Sequence, residues 1–182
     1  TKYAAMLESA DEVGRVFDEA LSFAVTGRKG PVWIDVPLDV QNARVDPAAL
    51  SRGALHAVEI APVSTGIASV VAEELAAASR PLLLVGGGLR AAGAEQLVAE
   101  VVARMDVPLV FTPAGADAYG SAHALSIGAV SSIGGSRAGN FALQHADYIL
   151  AIGTKLCSQV TGTDYESFAP EARLVVVDID AI

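Results

Sequence analysis

Four runs of apolar residues, separated by helical or glycine-rich segments, most constrain how this 182-residue chain can fold. The runs cover residues 82–85, 108–112, 148–152 and 174–178. Strands that are apolar on both faces lie in parallel sheets covered by helices, and strands that alternate with helices are typical of doubly wound sheets. The pattern therefore predicts an α/β fold with a Rossmann-like doubly wound parallel sheet.

Apolar residues at helical spacing flank the first of these runs. One stripe extends from Ile67 to Ala78 and a second from Ala94 to Met105, with the i, i+3, i+4, i+7 intervals of a helix that buries one face. Residues 115–139 are rich in Gly and Ser and predict only a short helix after Gly135. We therefore expect a sheet of four strands.

The first 63 residues follow a different pattern. Ser9 and Glu12 frame a capping box, a helical stripe covers residues 13–24, and a short apolar strand covers residues 31–36. Residues 42–63 mix Pro, Ala and polar residues without a period, which predicts a linker. The sequence thus indicates an N-terminal segment, a linker and a larger domain.

Charge and cysteine content exclude several classes of function. The net charge is −9 and the 12 basic residues are scattered, whereas nucleic-acid binding requires clustered Lys and Arg. No apolar run approaches the roughly 18 residues of a membrane span. The single cysteine, Cys157, excludes an internal disulfide and fits a reducing compartment. We therefore expect a cytoplasmic protein that binds neither nucleic acid nor a membrane.

A glycine loop, Gly86-Gly87-Gly88, lies between the first apolar run and a helical segment. With Ala91 it fits the loose dinucleotide pattern, in which small residues admit a phosphate to the amides of a helix N-terminus. The next run ends at Thr112 instead of the acid that binds an NAD ribose. The loop is interpreted either as a nucleotide-phosphate site or as close packing of a strand against a helix.

Further candidates for ligand contact lie at the ends of other predicted elements. Arg137 begins the short helix, where it either meets a diphosphate or stays a solvated surface residue. Gly153 and Lys155 follow the third run. Asp178 ends the fourth run, where a carboxylate either binds ribose hydroxyls or marks a polar strand exit. His123 is interpreted as a turn residue instead of a ligand or a base.

The segment Thr26-Gly-Arg-Lys-Gly-Pro-Val-Trp-Ile-Asp-Val-Pro-Leu-Asp-Val-Gln41 resembles the end of the pyrimidine-binding domain of thiamine-diphosphate enzymes of the acetolactate synthase type. From about Ala61 the chain resembles that family's central domain, in which a His precedes a glycine-rich loop and a helix containing an Asn. The resemblance implies that 1–41 is the tail of a pyrimidine-binding domain, 42–63 a linker and 64–182 a central Rossmann-like domain.

The resemblance implies a parent enzyme that uses thiamine diphosphate and Mg²⁺ to decarboxylate or ligate 2-oxo acids. Its activating Glu belongs to the first domain and its Gly-Asp-Gly…Asn motif to the third, and neither occurs in this chain, which opens at Thr1. We therefore expect a non-catalytic segment of a longer enzyme, inactive alone. Its expected partners are the flanking pyrimidine- and diphosphate-binding domains and a second copy in a homodimer.

The resemblance also implies FAD or ADP in the central domain. Flavin-binding members contact the cofactor with a Gly-x-Arg loop followed by acids. Here Lys155 replaces the Arg and Cys157-Ser158 replaces the acids, which weakens the flavin assignment because Lys lacks the bidentate fork. Two other functions stay open, a free-standing FAD- or ADP-binding module and a structural spacer and dimerisation domain. The expected cofactor contacts are Gly86, Gly87, Gly88, Thr112, Gly128, Arg137, Gly153, Lys155 and Asp178.

Overall fold

The computed structural model describes residues 1–57 and 62–180, which fall into two compact units, Thr1–Ala61 and Pro62–Ile182. The assignment of residues 1–41 to a pyrimidine-binding domain stays a prediction.

The first unit is a two-stranded parallel sheet whose strands are joined by a helix. Strand β1 (Tyr3–Met6) pairs with β2 (Val32–Asp35), and helix α1 (Val13–Val25) connects them. A 3₁₀ turn, Ala10–Glu12, precedes α1, and the short helix α2 (Leu38–Gln41) follows β2. The predicted helix and strand are confirmed, whereas β1 was missed because its four residues include two alanines and show no strong alternation.

Ser9 does not cap the helical turn that follows it. Its side chain makes no capping hydrogen bond, and the Glu12 carboxylate instead accepts a hydrogen bond from the backbone N–H of Glu8 at 3.1 Å. This hydrogen bond, together with one from Arg15, lowers the pKa of Glu12 below its ordinary value. The capping-box prediction is therefore wrong for Ser9, because the acid turns back to the residue before it.

The predicted linker is tied to α1 over much of its described length. The backbone N–H of Gly53 donates to the Asp18 carboxylate at 3.1 Å. His56 packs on Phe23 with ring centroids 3.7 Å apart, and its backbone N–H donates to Ser22 Oγ at 2.5 Å. Residues 42–57 form neither helix nor strand beyond the frayed end of α2, and the part of the linker at 58–61 lies outside the described residues.

The second unit is a five-stranded parallel sheet with helices on both faces, so the predicted Rossmann-like fold is confirmed. The sheet order is β5-β4-β3-β6-β7, and every neighbouring pair is parallel. The strands are β3 (Pro81–Val85), β4 (Leu109–Phe111), β5 (Ser126–Ala129), β6 (Tyr148–Ile152) and β7 (Arg173–Val177). Strands β4 and β5 thus lie in sequence on one side of β3, and β6 and β7 lie in sequence on its other side.

Within residues 62–180, six helices accompany these strands and cover the two faces of the sheet. They are α3 (Thr65–Ala77), α4 (Gly87–Ala92), α5 (Glu95–Met105), α6 (Ala116–Tyr119), α7 (Arg137–His145) and α8 (Ser158–Thr161), with 3₁₀ turns at Pro113–Gly115 and Tyr165–Ser167. Leu83 and Val85 of β3 pack with α3 and α5 on one face. Leu82 and Leu84 pack with α7 on the other. The fully apolar β3 is therefore explained by burial on both sides.

Strand β5 was not predicted from the sequence. Its residues are Ser-Ile-Gly-Ala, so its apolar content is low, and its pairing with β4 shifts register between Leu109 and Val110. Gly128 adopts a φ of 138°, which side chains rarely tolerate. The predicted short helix after Gly135 is confirmed as α7, whose first turn is capped by Ser136 Oγ accepting from the N–H of Gly139 at 2.9 Å.

Asp147 clamps the amino end of β6 to the amino end of β3. Its carboxylate accepts hydrogen bonds from the backbone N–H of Ser79 at 2.9 Å and of Arg80 at 2.8 Å. Burial alone raises the pKa of Asp147, but these two hydrogen bonds and the charge of Arg80 outweigh it, and the pKa lies below its ordinary value. The charged carboxylate therefore stabilises the start of both central strands.

We predict that Asp147→Asn lowers the free energy of unfolding by about 1 kcal/mol at pH 7, allowing for solvent screening. Because the folded pKa is lowered, the stabilisation is complete above the unfolded value of about 3.9 and is lost as the pH falls through the folded pKa. Urea unfolding at pH 7 and at successively lower pH below 4 measures the difference. Glu166→Gln, at an exposed carboxylate, serves as the control, and a difference from wild type that persists at the lowest pH contradicts the assignment.

Candidate functional site

The candidate site is the carboxyl edge of the five-stranded sheet. All five strands are parallel, so the residues that follow them lie along one edge. Gly86 follows β3, Thr112 follows β4, Gly153 follows β6 and Asp178 follows β7. The edge includes the point where the strand order reverses, between β3 and β6, which is where ligands bind in open α/β sheets.

The structure brings Gly86, Gly88 and Gly153 into direct backbone contact. The N–H of Gly86 donates to the Ile152 carbonyl at 3.0 Å, and the N–H of Gly88 donates to the Gly153 carbonyl at 2.9 Å. A Cβ on Gly88 would lie 2.7 Å from the Cα of Gly153. A Cβ on Gly86 would overlap the Gly153 carbonyl oxygen. Glycine is therefore required here for the close approach of two loops.

The loop after β4 also packs against this glycine loop, as the loop after β6 does. A Cβ on Gly87 would lie 3.1 Å from the carbonyl oxygen of Ala114, and one on Gly115 would lie 2.7 Å from the carbonyl oxygen of Val85. Thr112 is buried, and its N–H donates to the Val85 carbonyl at 2.9 Å. Thr112 thus extends the ladder between β3 and β4 by one hydrogen bond.

Gly128 lies in β5, and Arg137 lies in α7, the helix that follows it. A Cβ on Gly128 would lie 2.5 Å from Ser136 Oγ, so this glycine makes room for the side chain that caps α7. Arg137 is the first residue of α7 and is exposed. The atoms nearest to a Cβ on Gly86, Gly87 or Gly88 belong instead to the loops after β4 and β6.

Lys155 and Asp178 lie at the ends of β6 and β7. Lys155 is exposed, between the buried Thr154 and Leu156, which adopts a φ of 49° in the left-handed region. Asp178 is half-buried, and its carboxylate accepts a hydrogen bond from the N–H of Asp180 at 3.2 Å. The nine expected cofactor contacts therefore share one edge of the sheet or the loops beside it, and their role in binding stays a prediction.

Asn140 holds the β5–α7 loop, a role that the sequence did not reveal. Its side-chain amide donates to the Ser131 carbonyl at 3.0 Å and accepts from the Ser131 N–H at 3.1 Å. The next residue, Ser132, donates its N–H to the Gln159 carbonyl at 2.6 Å. Asn140 thus fixes a loop that also contacts α8.

Metal-ligating side chains do not cluster in the part of the chain that the structure describes. Among residues 1–57 and 62–180, no three or more His, Cys, Asp or Glu side chains are grouped so that they could hold a metal ion. Over the same described ranges, no helix is both long enough and apolar enough to span a bilayer.

We predict that Asn140→Ala lowers the free energy of unfolding by about 1–3 kcal/mol, because it leaves both backbone groups of the buried Ser131 without their partner. Gln96→Ala, at an exposed position of α5, is the control and should change stability by less than about 0.5 kcal/mol. Urea unfolding followed by circular dichroism measures both variants. Equal stability of the two contradicts the role given to Asn140.

Comparison with known proteins identifies the family. Residues 68–182 match the family model for the central domain of thiamine pyrophosphate enzymes. The chain is 34% identical to an acetolactate synthase of Arthrospira platensis and 33% identical to the acetolactate synthase isozyme 1 large subunit of Escherichia coli K12. These matches cover 98% and 99% of this chain, but only 32% and 31% of the relatives.

The chain is also 31% identical to a probable acetolactate synthase large subunit of Methanocaldococcus jannaschii. This match covers 99% of the chain and 31% of that relative. The chain thus spans about a third of the length of the curated relatives that it matches. The five-stranded parallel sheet lies within the residues that match the family model. The chain belongs to the thiamine pyrophosphate enzyme family, and residues 68–182 are its central domain.

Proposed function

We propose that this chain is a non-catalytic segment of an acetolactate synthase-like enzyme. It contains the tail of the pyrimidine-binding domain at 1–41, a linker at 42–63 and the central domain at 64–182. The observation that carries the proposal is the match over nearly the whole chain to about a third of each relative. The parent enzyme decarboxylates or ligates 2-oxo acids in the cytoplasm.

In such an enzyme, thiamine diphosphate supplies the carbanion stabilisation that the reaction needs, and the protein must hold it in place. In the described residues of the central domain, no three or more His, Cys, Asp or Glu side chains are grouped so that they could hold a metal ion. We therefore assign binding of thiamine diphosphate and Mg²⁺ to the flanking pyrimidine- and diphosphate-binding domains. The central domain acts as the spacer between them.

We predict that this chain produces no acetolactate and no CO₂ from pyruvate with thiamine diphosphate and Mg²⁺. The physical reason is that neither the cofactor-activating Glu nor the metal motif of the family occurs in it. The assay compares the native chain with a heat-denatured sample and a protein-free blank. Formation of acetolactate or CO₂ that occurs only with the native chain would contradict the proposal.

The first unit favours a further role in self-association. In α1, Val16 and Ala20 are buried, while Leu21 and Val25 are each 61% exposed. On the open face of the small sheet, Trp33 is 63% exposed. Burying a large apolar side chain stabilises by roughly 1.5–3 kcal/mol. We propose that a second copy of the chain covers these side chains in a homodimer.

We predict that Leu21→Ser weakens self-association measured by sedimentation equilibrium, because it removes an apolar side chain from the proposed interface. Leu97→Ser is the matched control, since Leu97 is also a helical leucine and is 63% exposed in the second unit. Leu97→Ser should leave the association constant unchanged. A wild-type chain that stays monomeric at high concentration, with residues 1–41 open to proteolysis, contradicts the dimer.

A further inference from the structure

The second half of the predicted linker lies along helix α1 of the first unit. We infer that residues 51–56 form a strap that is bound to α1, so that the linker leaves the first unit at His56 and not at Gln41. The strap is then part of the fold of the first unit and is lost from the free length of the linker. The inference is independent of the proposed function, because it concerns only contacts within Thr1–Ala61.

Three residues of α1 meet the strap, and they form one stripe along the helix. Gly14, Asp18 and Ser22 are spaced at i, i+4 and i+8, which places them on one side of a helix. Their partners follow in the same order along the strap and are Ser51, Gly53 and His56. The stripe spans about 12 Å at the helical rise per residue, and five residues of extended chain reach at most about 18 Å. The strap therefore runs extended beside α1.

Glycine in both partners lets the strap and α1 come close together. A Cβ on Gly14 would lie 2.5 Å from the carbonyl oxygen of Ser51. A Cβ on Gly53 would lie 2.9 Å from the Cβ of Asp18, and it would overlap the carbonyl oxygen of Arg15. A larger residue at either glycine would therefore displace the strap from the helix.

The carboxylate of Asp18 holds the middle of the strap through two donors. Its Oδ2 accepts a hydrogen bond from the backbone N–H of Gly53 at 3.1 Å and pairs with Nε of Arg52, also at 3.1 Å. The Arg52 side chain is 82% exposed, so its ion pair contributes little. A hydrogen bond to an ionised acceptor is stronger than one between neutral groups. The contact between Asp18 and Gly53 is therefore the main attachment of the strap at this point.

Ser22 attaches the far end of the strap. It is buried in α1, where the other buried residues are apolar, and a buried hydroxyl needs hydrogen-bond partners. Its Oγ accepts from the N–H of His56 at 2.5 Å and donates to the His56 carbonyl at 3.3 Å. The His56 ring packs on Phe23, which stacks on Tyr3 of β1 with ring centroids 5.3 Å apart. Three rings thus connect the strap through α1 to the small sheet.

Limited proteolysis tests the strap without any substitution. Trypsin cleaves after Arg44 and after Arg52, which are both exposed and both lie in the predicted linker. A synthetic peptide of residues 42–57 gives the intrinsic ratio of the two cleavage rates. Relative to that ratio, we expect cleavage of the chain after Arg52 to be slowed at least about tenfold, because the strap must open first. The same ratio in chain and peptide overturns the inference.

Substitution of Asp18 tests the attachment itself. Asp18→Ala removes the acceptor of Gly53 and Arg52, while alanine raises the helix propensity of α1. We expect cleavage after Arg52 to become about tenfold faster and cleavage after Arg44 to stay unchanged. Asp39→Ala, at an exposed aspartate of α2, is the matched control and should alter neither rate. Unchanged cleavage after Arg52 in Asp18→Ala contradicts the strap.

Amide hydrogen exchange followed by NMR tests whether the strap opens as one unit. We expect the N–H groups of Gly53 and His56 to be protected in the wild-type chain, because both donate to side chains of α1. Ser22→Ala should speed exchange at both amides about tenfold, while the N–H of Thr112 in the second unit keeps its rate.

The exchange experiment has two results that overturn the inference. One is the absence of protection at Gly53 and His56 in the wild-type chain. The other is an acceleration in Ser22→Ala that is confined to His56, since the contacts would then open separately. If Ser22→Ala unfolds the first unit, the amides of α1 exchange as well, and the wild-type protection and the wild-type cleavage ratio decide.

Discussion

The pairing of β3 with β6 is the constraint on which the rest of the second unit depends. These strands are not consecutive, because β4 and β5 come between them in the chain and lie on the other side of β3. Their register runs without a break from Pro81 opposite Tyr148 to Val85 opposite Ile152. Asp147 fixes its amino end and the Gly88–Gly153 contact fixes its carboxyl end. The two apolar cores on the two faces of the sheet both lie against this pair of strands.

The first unit is built on a much smaller scale. Its two strands pair over only four residues, and one helix crosses one face of the sheet. A two-stranded sheet is marginal in water without further packing. The hydrogen bonds from Gly53 and His56 to side chains of α1 supply part of that packing. The first unit buries few large side chains, whereas the second unit has an apolar core on each face of its sheet.

The sequence predicted those parts of the fold that depend on continuous apolar burial. Strands β3 and β6 are apolar on both faces and were found within one residue of their observed bounds. Strand β5 was missed because a backbone with Gly128 at a φ of 138° pairs through its hydrogen bonds and not through bulky side chains. At the candidate site, the sequence located the glycines but left open whether they admit a phosphate or another loop. Three-dimensional proximity of residues 86–88 to residue 153 decides what those glycines touch, and no local pattern encodes it.

In the proposed parent enzyme, the central domain lies between two catalytic domains. Catalysis requires reacting groups to be held in a fixed geometry, and a misplacement of about 1 Å can cost roughly a hundredfold in rate. The loops after β3 and β6 are joined by backbone hydrogen bonds from Gly86 to Ile152 and from Gly88 to Gly153, and neither depends on a flexible side chain. The carboxyl end of this strand pair is therefore fixed by the backbone itself, in the middle of the sheet.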